Sequence, residues 1–165
     1  MIFNGVDLEQ YFEDDFIVKD VRGRTITQNE LETLSIPLAN GEILIDSKIP
    51  PKILEVDIAL NANTKRDLNK KIDELNSIIH TKETVPIILK DEPDMTYYGI
   101  LGTSNEEPEE ANVHEATLNI MVLDGLKYGP LREIKLDAQT NKIYYAGTEP
   151  TIPTIKMTAT KPLTY

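Results

Sequence analysis

At 165 residues the chain has the length of one ordinary domain, with room for the start of another. Its apolar content of 40% and charged content of 27% are close to globular averages, so we expect most of it to fold. The net charge of −11 argues against binding to nucleic acid or to an anionic membrane, because both need basic patches. The absence of cysteine excludes disulfides, zinc–thiolate sites and thiol catalysis.

The first residues, MIFNGVDLEQYFEDDF, lack the basic start and long apolar run of a signal peptide. No apolar stretch approaches the roughly 20 residues of a membrane span. We therefore expect a soluble protein, made in a cytoplasm and not inserted in a membrane.

The first third of the chain predicts short strands joined by turns. Asn4-Gly5 indicates an early turn, and FIVKDVRGR predicts a strand ending at Gly23. LETLSIPL predicts a second strand closed by Pro37, and Asn40-Gly41 before EILID predicts a hairpin. Pro50-Pro51 then separates this hairpin from the central block.

The central block predicts a half-buried strand followed by an amphipathic helix. ILEVDIALNA alternates, which puts Leu54, Val56, Ile58 and Leu60 on one face. The spacing then changes to helical and predicts a helix near residues 64–80, with Thr64 as its cap and Asp67 completing a capping box. The apolar stripe that faces the core comprises Leu68, Ile72, Leu75 and Ile79.

The next segments predict more strands around an acidic loop. VPIILK predicts a short strand, DEPD a turn, and MTYYGILGT a returning strand. Residues 104–112 carry carboxylates and a proline without an apolar period, so we expect an exposed, mobile loop. EATLNIMVLD alternates again, and its inward face comprises Ala116, Leu118, Ile120 and Val122.

The C-terminal part predicts a linker into a second domain. LREIKLD and KIYYAG predict two short strands, and Pro150 and Pro153 indicate a stiff linker. Ile155, Met157 and Ala159 alternate as in a strand that begins a further domain. The alternative is a C-terminal strand that pairs back onto the first domain. We divide the chain into a domain over 1–148 and a linker with the first strand of a truncated domain over 149–165.

Candidate chemistry is sparse. His80 closes the predicted helix, where a cation suits the helix dipole, and His114 has no partner motif. Asp91, Glu92 and Asp94 could bind calcium, but they lack the alternating spacing of a calcium loop and also suit a turn. We therefore predict no catalytic, cofactor-binding or metal-binding residues.

Several segments together resemble one protein family. They are MIFNGVDLEQYF, FIVKDVRGR, SKIPPKILEVDIAL, KRDLNKKIDELNSIIHTKETVPIILKDEPDMTYYGIL, EATLNIMVLDGLKYGP and AGTEPTIPTIKMT. In this order they resemble the distal tail proteins of long-tailed phages with non-contractile tails. The chain departs from the family pattern at Ile36-Pro37-Leu38-Ala39-Asn40-Gly41 and at Leu123-Asp124-Gly125-Leu126.

The resemblance implies a mainly β protein with one α-helix, a β-sandwich plus helix and hairpin related to tail-tube proteins. It implies a homo-hexameric ring at the virion tail tip, which contacts the tail-tube protein, the tail-tip hub or tail-associated lysin, and a receptor-binding protein. It also implies a galectin-like second β-sandwich, no enzyme activity and no cofactor. Met95, Tyr97 and Tyr98, beside the DEPD turn, are our candidate subunit contacts, with core packing as the other role open to the tyrosines.

Two other interpretations remain open on the sequence alone. One is a carbohydrate-binding or carbohydrate-degrading module at the tail tip that uses the acidic surface. The other is a related tail-tube or contractile-baseplate component with the same fold.

Overall fold

The computed structural model describes residues 1–24, 28–38, 40–106, 112–136 and 142–157. These residues contain nine strands and two helices. In chain order the elements are β1 (Ile2–Phe3), β2 (Val6–Asp7), α1 (Leu8–Tyr11), β3 (Phe16–Arg22), β4 (Glu30–Ser35), β5 (Glu42–Lys48), β6 (Lys52–Asn61), α2 (Lys65–Ile79), β7 (Val85–Ile88), β8 (Thr96–Glu106) and β9 (Val113–Val122).

Seven of the strands form one antiparallel sheet in the order β2-β1-β7-β8-β9-β6-β3, and β4 pairs with β5 alone. The sheet curls so that the segment after β3, its last strand, approaches the segment after β7. Arg24, just after β3, donates from Nη1 to the Asp91 carboxylate, just after β7, over 2.6 Å. A mainly β fold with one long helix and a hairpin is confirmed.

The core lies on the concave face of the sheet. β6 and β9 pair along their whole length, and their alternating side chains form its centre. Full burial of each such aliphatic side chain contributes about 1.5–3 kcal/mol. The predicted inward faces of both strands are confirmed, since the buried residues include Leu54, Val56, Ile58, Leu60, Ala116, Leu118, Ile120 and Val122.

Helix α2 covers this core as its apolar stripe predicts. Leu68, Leu75 and Ile79 are buried, and Ile72 packs against them at the margin. The Thr64 hydroxyl accepts from the Asp67 backbone N–H over 3.2 Å and so caps the first turn. The Asp67 carboxylate, by contrast, lies 3.5 Å from the Lys71 ammonium, so the acid predicted for a capping box is used in an i,i+4 ion pair.

His80 occupies the C-terminal cap position. Its backbone N–H donates to the Asn76 carbonyl over 3.0 Å, and this bond closes the last turn of α2. The predicted location at the helix end is therefore confirmed.

The first residues contribute more than the predicted turn. Two short strands flank Asn4-Gly5, and α1 follows with Asp7 as its cap. Met1, Phe3 and Leu8 are buried in the core. Strands of two residues are too short to show an alternating pattern, so periodicity could not predict them.

The acidic loop is shorter than predicted. β8 continues through Glu106, which pairs with Ala116 of β9, so residues 104–106 belong to a strand. Backbone hydrogen bonds to β9 hold this polar segment without apolar burial. The rest of the predicted loop lies at 107–111, outside the described residues, and Asn112 begins the turn into β9.

Contacts divide the chain into a compact unit Met1–Leu131 and a second unit Arg132–Tyr165. In residues 131–136 and 142–157 no helix or strand forms, so the strands predicted at LREIKLD and KIYYAG are wrong for the described residues. Ile155 and Met157 are likewise exposed and outside any strand, while Ala159 lies beyond the described residues. Alternating residues form a strand only with a pairing partner. The boundary after residue 148 stays a prediction.

A candidate assembly surface

The turn after β7 holds Asp91, Glu92 and Asp94, and the two tyrosines follow it at the start of β8. Tyr97 points into the core with no exposed side-chain surface, and its hydroxyl donates to the Glu92 carboxylate over 2.9 Å. Burial raises the pKa of the Tyr97 hydroxyl, and this hydrogen bond raises it further. Glu92 also accepts from the Lys127 ammonium, which lowers the pKa of the Glu92 carboxyl.

Existing contacts already occupy two of the carboxylates that would otherwise be candidate ligands for a cation. Glu92 is bound to Lys127 and Tyr97, and Asp91 is paired with Arg24. In the described residues no group of three or more acidic or histidine side chains is arranged to hold a metal ion. The turn is therefore organised by its own ion pairs.

Tyr98 points the other way, onto the solvent side of the sheet. Its ring packs edge-on against Tyr128 with centroids 5.4 Å apart, and the Tyr128 hydroxyl donates to Asp124 over 2.8 Å. Met95 is half-buried beside the turn. Of the three candidate contact residues, Met95 and Tyr98 thus offer surface to a partner, whereas Tyr97 supports them from the core. A subunit contact at this segment stays a prediction.

The solvent side of β3, β6, β9 and β8 carries a row of polar side chains. Arg22 donates to Asp57 over 2.5 and 3.1 Å and to Glu55 over 3.0 Å. The Thr117 hydroxyl donates to Asp57 over 2.6 Å. Hydrogen bonds from Thr117 and then Arg22 lower the pKa of the Asp57 carboxyl, and Asp57 in turn raises the pKa of Arg22. This side of the sheet is polar, well connected and exposed.

The same four strands end in two open edges. β3 pairs with β6 on one side only, and in the described residues nothing pairs with its other side. β7 covers β8 only from Thr96 to Gly99, so Ile100–Glu106 presents a second open edge. Open edges offer unpaired backbone groups to another chain.

A two-stranded arm, β4 and β5, extends between β3 and β6. Its apolar side chains project from both faces into solvent, and an isolated two-stranded hairpin is marginally stable in water. Sequence reasoning predicted the hairpin but missed its separation from the sheet. The available signal was the unbroken apolar run Ile43-Leu44-Ile45, which does not alternate as a strand with one buried face would. The exposed aliphatic residues are Leu31, Leu34, Ile36, Leu38, Ile43, Leu44 and Ile45.

A cavity of about 330 Å³ lies between β3 and residues 89–91. Four of its charged side chains are paired with each other: Lys90 donates to Glu9 over 2.7 Å, and Arg24 pairs with Asp91. The other two, Lys19 and Asp20, pair with Glu115 and Arg22. Neither helix in the described part of the chain has the length and apolar character needed to cross a bilayer.

Comparisons with known proteins agree on one family. Residues 6–122 match the family model described as a phage tail protein RIFT-related domain. The chain is 34% identical over 157 residues to the distal tail protein of Bacillus phage SPP1, covering 94% of this chain and 60% of that protein. A crystal structure of the SPP1 Dit protein, described as a paradigm of the hub adsorption apparatus in phages infecting Gram-positive bacteria, superposes with a TM-score of 0.69 and 35% identity.

That superposition covers 78% of this chain and 51% of the solved one, so this chain spans between half and two thirds of these relatives. The comparisons confirm the family resemblance. They give no support to a carbohydrate-acting module.

Proposed function

The chain belongs to the family of phage tail proteins with a RIFT-related domain, and from this premise we propose that it builds a hexameric ring at the tail tip. The ring would join the tail-tube protein on one side to the tail-tip hub or tail-associated lysin on the other, with a receptor-binding protein as a further partner. The names of the relatives, a distal tail protein and a hub of the adsorption apparatus, support this position.

One observation carries the proposal: the four-stranded part of the sheet, β8-β9-β6-β3, has an open edge at each end. Neighbouring strands in it run in opposite directions, so β8 and β3 are antiparallel to each other. When copies are arranged head to tail, β8 of one copy therefore meets β3 of the next in antiparallel orientation. Repeating this contact closes a ring with no edge left open.

The remaining surfaces fit such a ring. The polar row around Arg22 and Asp57 would face the channel, since ion-paired groups tolerate water there. The arm β4–β5 would lay its exposed aliphatic side chains on a neighbour, because an apolar surface of this kind on a soluble protein marks an interaction site.

The test is ring formation, measured by analytical ultracentrifugation and native mass spectrometry up to millimolar concentration. Proline is placed at Ser104 and, separately, at Asn105 in the open part of β8. Adjacent backbone N–H groups in a strand point to opposite sides. One of the two substitutions, called the edge proline, therefore removes an N–H group from the open edge, and the other removes an N–H group that donates to β9.

The wild-type chain is expected to form hexamers. The edge proline should weaken them at unchanged stability, while the other proline should lower the free energy of unfolding. A wild-type chain that stays monomeric at millimolar concentration in moderate salt, and does not bind tail-tube protein, would disprove the proposal.

A further inference from the structure

Leu38, at the tip of the arm, combines two features that a free monomer does not favour. Its φ is +69°, in the left-handed region that L-residues other than glycine, asparagine and aspartate rarely adopt. It follows Pro37, and a turn with proline before a residue of positive φ normally places glycine or asparagine there. The leucine side chain therefore raises the free energy of the turn.

The second feature is exposure. The relative exposure of Leu38 is 108%, so its side chain contacts essentially nothing in the part of the chain that the structure describes. Single exposed leucines are common on protein surfaces, but this one is also held in a strained backbone conformation. Neither packing nor conformational preference within the monomer accounts for leucine at this position.

The location indicates which partner would bury this side chain. In the sequence the arm lies between β3, whose open edge is placed against the next copy in the proposed ring, and β6. Its exposed aliphatic side chains lie along both of its strands and reach the tip. An apolar surface continuous with a subunit contact is best covered by the same neighbour.

We propose that Leu38 is an anchor residue that inserts into an apolar site on a second copy of this chain, and that the strain at the tip is offset by this contact. The inference rests on the proposed ring and adds the residue at which the arm is anchored. Anchor side chains of this kind carry a large share of the binding energy of an interface.

The first experiment compares Leu38→Asn with the wild-type chain. Asparagine adopts positive φ readily, so the melting temperature of the variant at low concentration should be equal or higher. Removal of the anchor should weaken ring formation by about tenfold or more. Leu131→Asn is the matched control, because Leu131 is 91% exposed in the same compact unit and lies outside the arm. It should leave assembly unchanged.

The second experiment identifies the occupant. The chain has no cysteine, so Leu38→Cys can carry a single maleimide-linked photo-crosslinker. We expect an adduct of two copies of the chain. An adduct formed only with added tail-tube protein, or no adduct, would overturn the choice of a second copy.

Failure of this inference is distinguishable from failure of the ring. A wild-type ring that forms equally well with Leu38→Asn leaves the proposed function standing and removes the role of Leu38. If the wild-type chain forms no ring, the crosslink still decides whether the tip contacts a second copy.

Discussion

Replacement of Leu75 by alanine tests whether α2 holds the sheet through its buried stripe. Leu75 is 4% exposed and belongs to the core cluster together with Leu68 and Ile79. The substitution removes three buried carbon atoms, which at about 0.8 kcal/mol each costs about 2.5 kcal/mol in transfer free energy. The cavity left behind adds to this loss, so we expect the free energy of unfolding to fall by about 3–5 kcal/mol.

Urea unfolding followed by circular dichroism measures this change. The midpoint should fall while the slope m stays constant, because the surface exposed on unfolding is nearly unchanged. Ile72→Ala is the matched control, since Ile72 lies on the same helix but only at the margin of the core. A loss below about 1 kcal/mol for Leu75→Ala, or a larger loss for Ile72→Ala, would refute the packing described here.

Three further predictions follow from individual contacts and from charge. Gly23 and Gly41 have φ of +87° and +84°, but a Cβ at Gly23 would lie 2.0 Å from the Ile53 carbonyl oxygen, whereas Gly41 has open space. Gly23→Ala should therefore destabilise the fold in urea by about 1–3 kcal/mol more than Gly41→Ala. The pKa of Glu92 is lowered below its ordinary 4.5, so its stabilising contribution is complete above that pH and is lost as pH falls through the lower folded-state pKa. The stability difference between wild type and Glu92→Gln, measured in urea from pH 7 to pH 3, should shrink over that acid range; a constant difference would contradict the ion pair with Lys127. Finally, a net charge of −11 opposes self-association, so moving from low to moderate ionic strength should favour rings in sedimentation experiments, and a fall in assembly would contradict this.

The elements predicted well are those with one face buried. β6, α2 and β9 each place apolar residues at the period of their backbone, because one side packs on the core. The hairpin β4–β5 was predicted from its turn residues, which act locally.

The features that local patterns could not predict depend on pairing between strands that are far apart in the sequence. Sequence spacing does not show that β3 and the far part of β8 lack neighbours, because strand order is set by the whole fold. Alternation placed Tyr97 and Tyr98 on opposite faces but could not show which one faces the core. The same limit explains why polar residues 104–106 form a strand, since their partner in β9 decides it.

The segment that follows β9 has a mechanical consequence. Thr96 and Tyr128 exchange two backbone hydrogen bonds of 2.8 Å, and Lys127 holds Glu92 beside them. These contacts should therefore resist a force applied to the chain beyond Leu131 before that force reaches the end of β9. Since these contacts join the segment to β8 and to the turn before it, such a force would enter near the centre of the sheet and be shared among its strands.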